Sequence, residues 1–350
     1  MKKILMIAFV LAVSGMLLAQ NTVSKKVEKS YAVSGNGSLG IAGKYGDIHI
    51  DTWGESKVEV KVVIEVTKRT EKSAQEMLDQ ISIGIEDENR EALSFRTNID
   101  GFITNKSGDK LKIEYWVKAP KKLAFNINNS YGNFYIADNT GSNNFKIAYG
   151  NIKTDKCTGN TTLNVSYGNS DIEEIKSGSI ELSYSNSSFD EIGNVTLTNN
   201  YSNIDAEKVG VLSMENRYGN LKVKSMQSLK GSSKYGNVTI GKLFKEIDFE
   251  FLHSGGIKVA WISKDFENIK IDAKYGSIGL QFEKGFGASI DADMTYCSLK
   301  FGDVPFNYTH LKEEAQHNMY KGVVGSKENA GNRIISINSS YGNGKIGYAD

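Results

Sequence analysis

The stretch from Leu163 to Asn220, LNVSYGNSDIEEIKSGSIELSYSNSSFDEIGNVTLTNNYSNIDAEKVGVLSMENRYGN, decides the fold. Four times the chain returns to Tyr-Gly-Asn or Tyr-Ser-Asn, at Tyr167, Tyr184, Tyr201 and Tyr218, with 17 residues between successive tyrosines. Outward from this stretch the signature recurs at Tyr131, Tyr149 and Tyr235, then at Tyr275, Tyr296 and Tyr341, with an outlying copy at Tyr45. Gaps from Tyr131 to Tyr235 run 18, 18, 17, 17, 17 and 17 residues, and a fixed period of this length marks a solenoid.

The flanks repeat too. Ahead of the tyrosines, Leu163 and Val165, Ile180 and Leu182, and Leu212 and Met214 alternate with polar residues; after them Leu221 and Val223, Val238 and Ile240, and Ile278 and Leu280 do the same. Period two is a strand with one buried face. The inward parity shifts by one across the Gly-Asn pair, which predicts a corner where Gly and, less readily, Asn supply positive φ. Gly141, Gly159, Gly178, Gly193 and Gly210 are predicted to turn the chain into the next unit. Two short strands cannot bury their own apolar face, so the units must stack at the ~4.8 Å strand spacing. Stacking makes a tyrosine ladder and a ladder of Asn133, Asn151, Asn169, Asn186, Asn203, Asn220 and Asn237, whose amides can bond along it. His253-Ser254-Gly255-Gly256, 18 residues after Tyr235, reads as a degenerate rung with one inserted residue.

The expected fold class is therefore all-β: a single-chain parallel β-helix (β-solenoid) of ~17-residue rungs over 125–350, with an insertion at about 302–334. Residues 20–124 read as a β-rich cap that covers the exposed end rung. In that cap Val58, Val60, Val62, Ile64 and Val66 alternate, Ala74, Met77 and Leu78 have helical spacing over 73–80, and strands are expected near Leu93–Thr97 and Leu111–Val117. Within the insertion, Leu311 to Tyr320 is polar and helix-compatible, an elaborated loop or a small lid, and insertions of this kind are where solenoids often bind.

Composition sets the class and compartment. The 350 residues carry 42 Lys+Arg against 41 Asp+Glu, which points to neither nucleic acid nor an anionic membrane surface. With 39% hydrophobic residues, 35 Gly and only 2 Pro, the chain builds a core and uses its glycines regularly. Met1-Lys2-Lys3, an apolar run from Ile4 to Leu18 and then Ala19 have the layout of a signal peptide over 1–19, too short to span a bilayer. The expectation is an exported protein of the periplasm, outer surface or extracellular space, with no membrane span once the signal is cleaved. No Cys follows the apolar run for a lipid. Cys157 and Cys297 are placed eight rungs apart in chain order, about 38 Å at the strand spacing, so they are expected to be free thiols.

The stretch Leu39–Trp53 (LGIAGKYGDIHIDTW), the alternating strand and short helix after it, and the train of S-Y-G-N-I-like units resemble the putative-adhesin family of bacterial secreted or envelope proteins, grouped with toast-rack and head-domain adhesins. The resemblance covers about residues 30–350. It implies a right-handed β-helix at the cell envelope with no established enzymatic role, and it supplies no functional residues to carry over.

Sites are sparse. Four His (His49, His253, His310, His317) and two distant Cys have no zinc spacing, and no nucleophile elbow, P-loop or dinucleotide fingerprint occurs, so neither metal nor cofactor is expected. For a polysaccharide-acting enzyme or a calcium site the candidates are Asp272, Asp291 and Asp293, on the outward parity of neighbouring rungs. Other outward positions are mainly Ser, Thr, Asn and Lys, among them Asn126, Asn128, Ser130, Asn164, Thr196, Thr198, Ser336 and Asn338. A flat array of hydroxyls and amides suits a glycan or envelope polymer. The expected function is a non-catalytic, adhesin-like binding module, the alternatives being a β-helical polysaccharide-acting enzyme or a structural or sensory envelope protein. The oligomeric state and binding face stay open at this point.

Overall fold

The computed structural model describes residues 20–88, 91–101 and 108–350; residues 1–19, read above as a signal peptide, lie outside the described residues. The chain opens with β1 (Asn21–Ala32), β2 (Ser38–Lys44), β3 (Ile48–Trp53) and β4 (Lys57–Lys68), followed by the helix α1 (Glu71–Asp79). Next come β5 (Ile81–Glu88), β6 (Ala92–Ile99), β7 (Lys110–Pro120), β8 (Ala124–Ser130), β9 (Phe134–Ile136) and β10 (Asn143–Ala148). The regular rungs are β11 (Ile152–Ser166), β12 (Asn169–Ser183), β13 (Asn186–Asn200), β14 (Asn203–Arg217), β15 (Leu221–Lys234) and β16 (Asn237–Leu252). Shorter strands finish the chain: β17 (Gly256–Ile262), β18 (Asn268–Lys274), β19 (Ser277–Phe282), β20 (Gly287–Thr295), β21 (Leu299–Lys300), β22 (Phe306–Glu313), β23 (His317–Gly325), β24 (Ile334–Ser340) and β25 (Gly344–Tyr348).

The strands β11 to β16 pair in parallel with their successors, residue on equivalent residue, as a β-solenoid requires. Each long strand is bent in the middle, so its two halves serve two faces. The later halves form a front sheet that continues through β18, β24 and β20; the earlier halves form a back sheet that continues through β17, β19 and β25. Between the faces runs one hydrophobic core from Val33 to Ile346, in which Leu163, Val165, Ile180, Leu182, Leu212 and Met214 are buried as their alternation requires. Each such side chain contributes roughly 1.5–3 kcal/mol of transfer free energy.

The corners depart from expectation in an informative way. Positive φ falls on the tyrosine, not on the Gly-Asn pair: every repeat tyrosine has φ between 53° and 61°, and His253 has 49°. Glycine is needed next to it for a different reason. A Cβ on Gly150 would lie 1.9 Å from the Gly132 carbonyl oxygen, and one on Gly168 would lie 1.8 Å from that of Gly150. At these glycine corners the preceding carbonyl stands where a Cβ would go. Where serine takes this place the hydroxyls are used, Ser202 Oγ accepting from the Ser185 amide at 2.9 Å. Gly159, Gly178, Gly193 and Gly210 likewise lie inside continuous strands, and among them only Gly178 has positive φ. Their role is close approach at the bend, since a Cβ on Gly193 would lie 2.0 Å from the Lys176 carbonyl oxygen.

Both ends differ from the linear picture. Tyr45 heads a full rung, because β2 and β3 pair in parallel with β8 and β9, so the boundary near residue 124 falls between two stacked rungs of one solenoid. Beneath that rung lie β6 and β7, and the end is closed by antiparallel β5 on the front sheet and by β4 and β1 on the back. The helix α1 begins at the Thr70 cap, whose hydroxyl accepts the Ser73 amide at 3.2 Å, and it buries Ala74, Met77 and Leu78. At the other end, the 306–325 segment is an antiparallel hairpin, β22 and β23, added to β20; it contains no helix. The rung of Tyr341 is inserted between those of Tyr275 and Tyr296, since β24 pairs with β18 on one side and β20 on the other. This adds one step between Cys157 and Cys297, and both cysteines are free and buried.

Candidate functional site

Stacked corners project their tyrosines along one edge of the solenoid. In spatial order the rings are Tyr45, Tyr131, Tyr149, Tyr167, Tyr184, Tyr201, Tyr218, Tyr235, His253, Tyr275, Tyr341 and Tyr296, with centroids 4.6–5.7 Å apart. Neighbouring planes differ by 2–11°. The ridge is on the order of 50 Å long at the strand spacing. From Tyr131 to Tyr341 the tyrosines are 47–53% exposed, yet their faces are covered by one another. What solvent meets is therefore a row of ring edges and phenol hydroxyls.

Beside the ridge runs the amide ladder. Asp47 Oδ1 accepts the Asn133 backbone and side-chain N–H groups at 2.8 and 3.2 Å, and Asn133 Oδ1 accepts both from Asn151 at 3.0 Å. The pattern repeats from Asn151 to Asn169, and again from Asn203 to Asn220 to Asn237. Asp47 begins the ladder because a carboxylate only accepts. Under the corners lies a second, buried set: Asn199 Nδ2 donates to Ser202 O at 2.8 Å and to Asn216 Oδ1 at 2.7 Å, and Asn216 Nδ2 donates to Gly219 O at 2.7 Å. These buried amides hold the carbonyls of the bent backbone, so the ridge is rigidly mounted.

On the other flank of the ridge the front sheet turns its outer face to solvent. Asn126, Asn128, Ser130, Asn164, Ser166, Thr196, Thr198, Asn200, Ser336, Asn338 and Ser340 all lie there, half-buried or exposed. Cross-rung bonds such as Asn144 to Asn126 at 3.2 Å hold some of them in register.

The three aspartates share this face without converging. Asn338 stands between Asp272 and Asp293, and Ser336 stands beside Asp291, because β24 separates β18 from β20. Each has a basic neighbour: Lys270 lies 3.9 Å from Asp272 and, nearer, 3.4 Å from Asp248, Lys321 lies 2.8 Å from Asp291, and His317 lies 2.9 Å from Asp293. Among the described residues a different trio comes within 4.8 Å by ligand atom, namely Asp47, His49 and Glu114. Asp47 is already engaged by Asn133, and Glu114 pairs with Lys112 at 2.7 Å, which holds that ammonium charged above its ordinary range.

A second aromatic stack escapes any reading of the repeat. On the back sheet Trp116 lies 4.0 Å from His49 with planes 4° apart, and His49 lies 4.7 Å from Tyr135. The three come from β7, β3 and β9, of which β3 and β9 belong to stacked tyrosine-headed rungs and β7 does not. Pairing of β7 alongside β3 creates the stack, and no local signal announces it.

No family model matches the chain, and no curated protein matches it. Among solved structures it is similar to a "putative cell adhesion protein" of Clostridium sporogenes, at 13% identity and a TM-score of 0.22, over 93% of this chain and 100% of that one. It is also similar to a "putative adhesin" of Bacteroides fragilis, at 11% identity and a TM-score of 0.30, over 92% and 97% of the two chains. A third is a "putative lipid binding protein" of Parabacteroides distasonis, at 13% identity and a TM-score of 0.33, over 74% and 97%.

Proposed function

We propose that this chain is an exported, non-catalytic, adhesin-like module that holds an envelope or extracellular polymer along its tyrosine edge and front sheet. The observation that carries the reading is the ridge itself. Phenol hydroxyls, amides and front-sheet hydroxyls repeat rung after rung at one spacing, which suits a partner that is itself long and repetitive. Many weak contacts in series give retention without a deep pocket. Ring faces closed by stacking leave hydroxyl edges for hydrogen bonding rather than platforms for a planar ligand. The acidic candidates for catalysis are held apart, each beside a basic group, and this favours binding over bond cleavage.

The test is co-sedimentation of purified 20–350 with the producing cell's envelope fractions and with insoluble polysaccharides, the supernatants being assayed for released sugar. Retention without release is expected, and a Tyr184→Gly/Tyr201→Gly/Tyr218→Gly variant should be retained about tenfold less, since three consecutive contacts are lost from a multivalent surface. Absence of retention overturns the reading. Sugar release replaces it with the polysaccharide-acting enzyme.

A further inference from the structure

Trp116 is an outward side chain on β7, 44% exposed, at a position where it contributes nothing to the core. One face of its indole is closed by His49 at 4.0 Å, and among the described residues no aromatic ring lies against the other. That other side borders a groove of about 520 Å³ between β7, β4 and β1, the strands of the antiparallel end of the back sheet. The indole is held firmly, because His49 is itself backed by Tyr135. Among the described residues its N–H has no protein acceptor, in contrast to Trp53, whose Nε1 donates to Lys57 O at 2.9 Å.

Charged groups around the groove balance: Glu28, Asp51 and Glu59 against Lys29, Lys61 and Lys118. Glu28 pairs with Lys26 and Glu59 with Lys57, while Asp51 and Lys61 enter no ion pair among the described residues. Lys61 stands directly across from Trp116 in the strand register, and Asp51 lies on β3, the neighbouring strand. The groove thus offers a preorganised aromatic face, a free carboxylate acceptor and free ammonium and indole donors, with no net charge to select an ion.

We propose that this groove is a subsite for a neutral hexopyranose unit of a glycan. The electron-rich face of the indole attracts the weakly positive C–H face of a sugar ring. Asp51 accepts from ring hydroxyls, while Lys61 and the indole N–H donate to them. The assignment rests on the polymer-binding reading above and names carbohydrate as the polymer, with a recognition point distinct from the tyrosine ridge.

Saturation-transfer NMR and calorimetry with soluble gluco-, manno- and galacto-oligosaccharides test it, beside uronic-acid oligomers of similar length. Native protein should give transfer to the ring C–H protons of at least one neutral oligosaccharide. Trp116→Ala and Asp51→Asn should each weaken that binding at least tenfold with the fold retained by circular dichroism, and Trp116→Phe should retain part of it. Unaltered affinity in Trp116→Ala overturns the subsite, as does binding confined to the uronic-acid oligomers. If no soluble oligosaccharide binds while envelope fractions still retain the protein, the subsite fails and the ridge reading stands. If neither binds, both fail.

Discussion

Tyrosine at φ near +57° is an unusual choice, because the left-handed region costs a residue with a Cβ roughly 1–2 kcal/mol. Each interior ring touches two others, and an aromatic pair contributes about 0.5–1.5 kcal/mol beyond area burial. The two effects nearly cancel. Tyr167→Gly should therefore cost only about 1–2 kcal/mol, strain relief offsetting part of the lost stacking and the added flexibility of the unfolded chain. Gly150→Ala should cost about 3 kcal/mol or more, because the new methyl meets the Gly132 carbonyl oxygen, which is backbone and cannot swing aside. Melting temperatures of the two variants decide the point, and a tyrosine variant less stable than the glycine variant would refute this account of the corner. Cys157 carries a second residue-level consequence. Burial pushes its thiol from 9.0 up to about 12, and burial likewise pushes Tyr115 from 10.0 to about 12. The unfolded chain releases these protons first as pH rises, so the stability both groups contribute is complete below about pH 9 and is lost as pH climbs toward 12. Native Cys157 should resist maleimide at neutral pH until the protein unfolds, and in Cys157→Ala the alkaline decline in unfolding free energy should be shallower.

At the scale of elements, the legible parts are those whose pattern is local. Period two around Tyr167 to Tyr235 forecasts buried Leu163, Ile180 and Leu212, the Asn ladder and the degenerate His253 rung, and all of them stand in the structure. Leu311 to Tyr320 misleads because its polar, helix-compatible composition is overridden by pairing: β23 adds to β20 and β22 adds to β23. The place of β24 is illegible for a different reason, since every Tyr-Gly-Asn unit is nearly equivalent and sequence similarity does not rank neighbours. That insertion is also why Asp272 and Asp293 do not meet. Trp116, His49 and Tyr135 are neighbours only through pairing of strands far apart in sequence. The hairpin's evident work is to cover the outer edge of β20, which would otherwise offer unpaired N–H and C=O groups. Its two ends are already adjacent, Gly325 N donating to Pro305 O at 2.8 Å. Excision of 306–325 with direct rejoining should leave the rungs intact and produce concentration-dependent association by light scattering. A variant that stays monomeric at every concentration would refute the edge-protection role.

For the whole molecule, a solenoid built in chain order has stability that is nearly a sum of rungs and their interfaces, so losing the last repeat should cost one rung. This chain is not built that way. Its last segment, β24 and β25, is an interior layer: β24 is clamped between β18 and β20, and β25 between β19 and β21. Tyr341 correspondingly bridges Tyr275 and Tyr296 at 4.9 and 5.0 Å. Without residues 334–350, β20 would face β18 across a gap of two strand spacings, roughly 9.6 Å, with Ile290, Ala292 and Met294 left over an emptied core. No parallel pairing reaches that far. Truncation after Arg333 should therefore strip amide-exchange protection from Gly287 through Gly325 as well, while Ala124 to Leu252 keeps its protection, because those rungs stack on one another, on the N-terminal end and, at β16, on β17 and β18, none of which is removed. Hydrogen exchange read by mass spectrometry separates the cases. If β20 and the hairpin stay protected in the truncated chain, the interleaved order is wrong and the C-terminal rungs stack in sequence order; if protection is lost across the whole solenoid, the rungs are coupled more tightly than nearest-neighbour stacking permits.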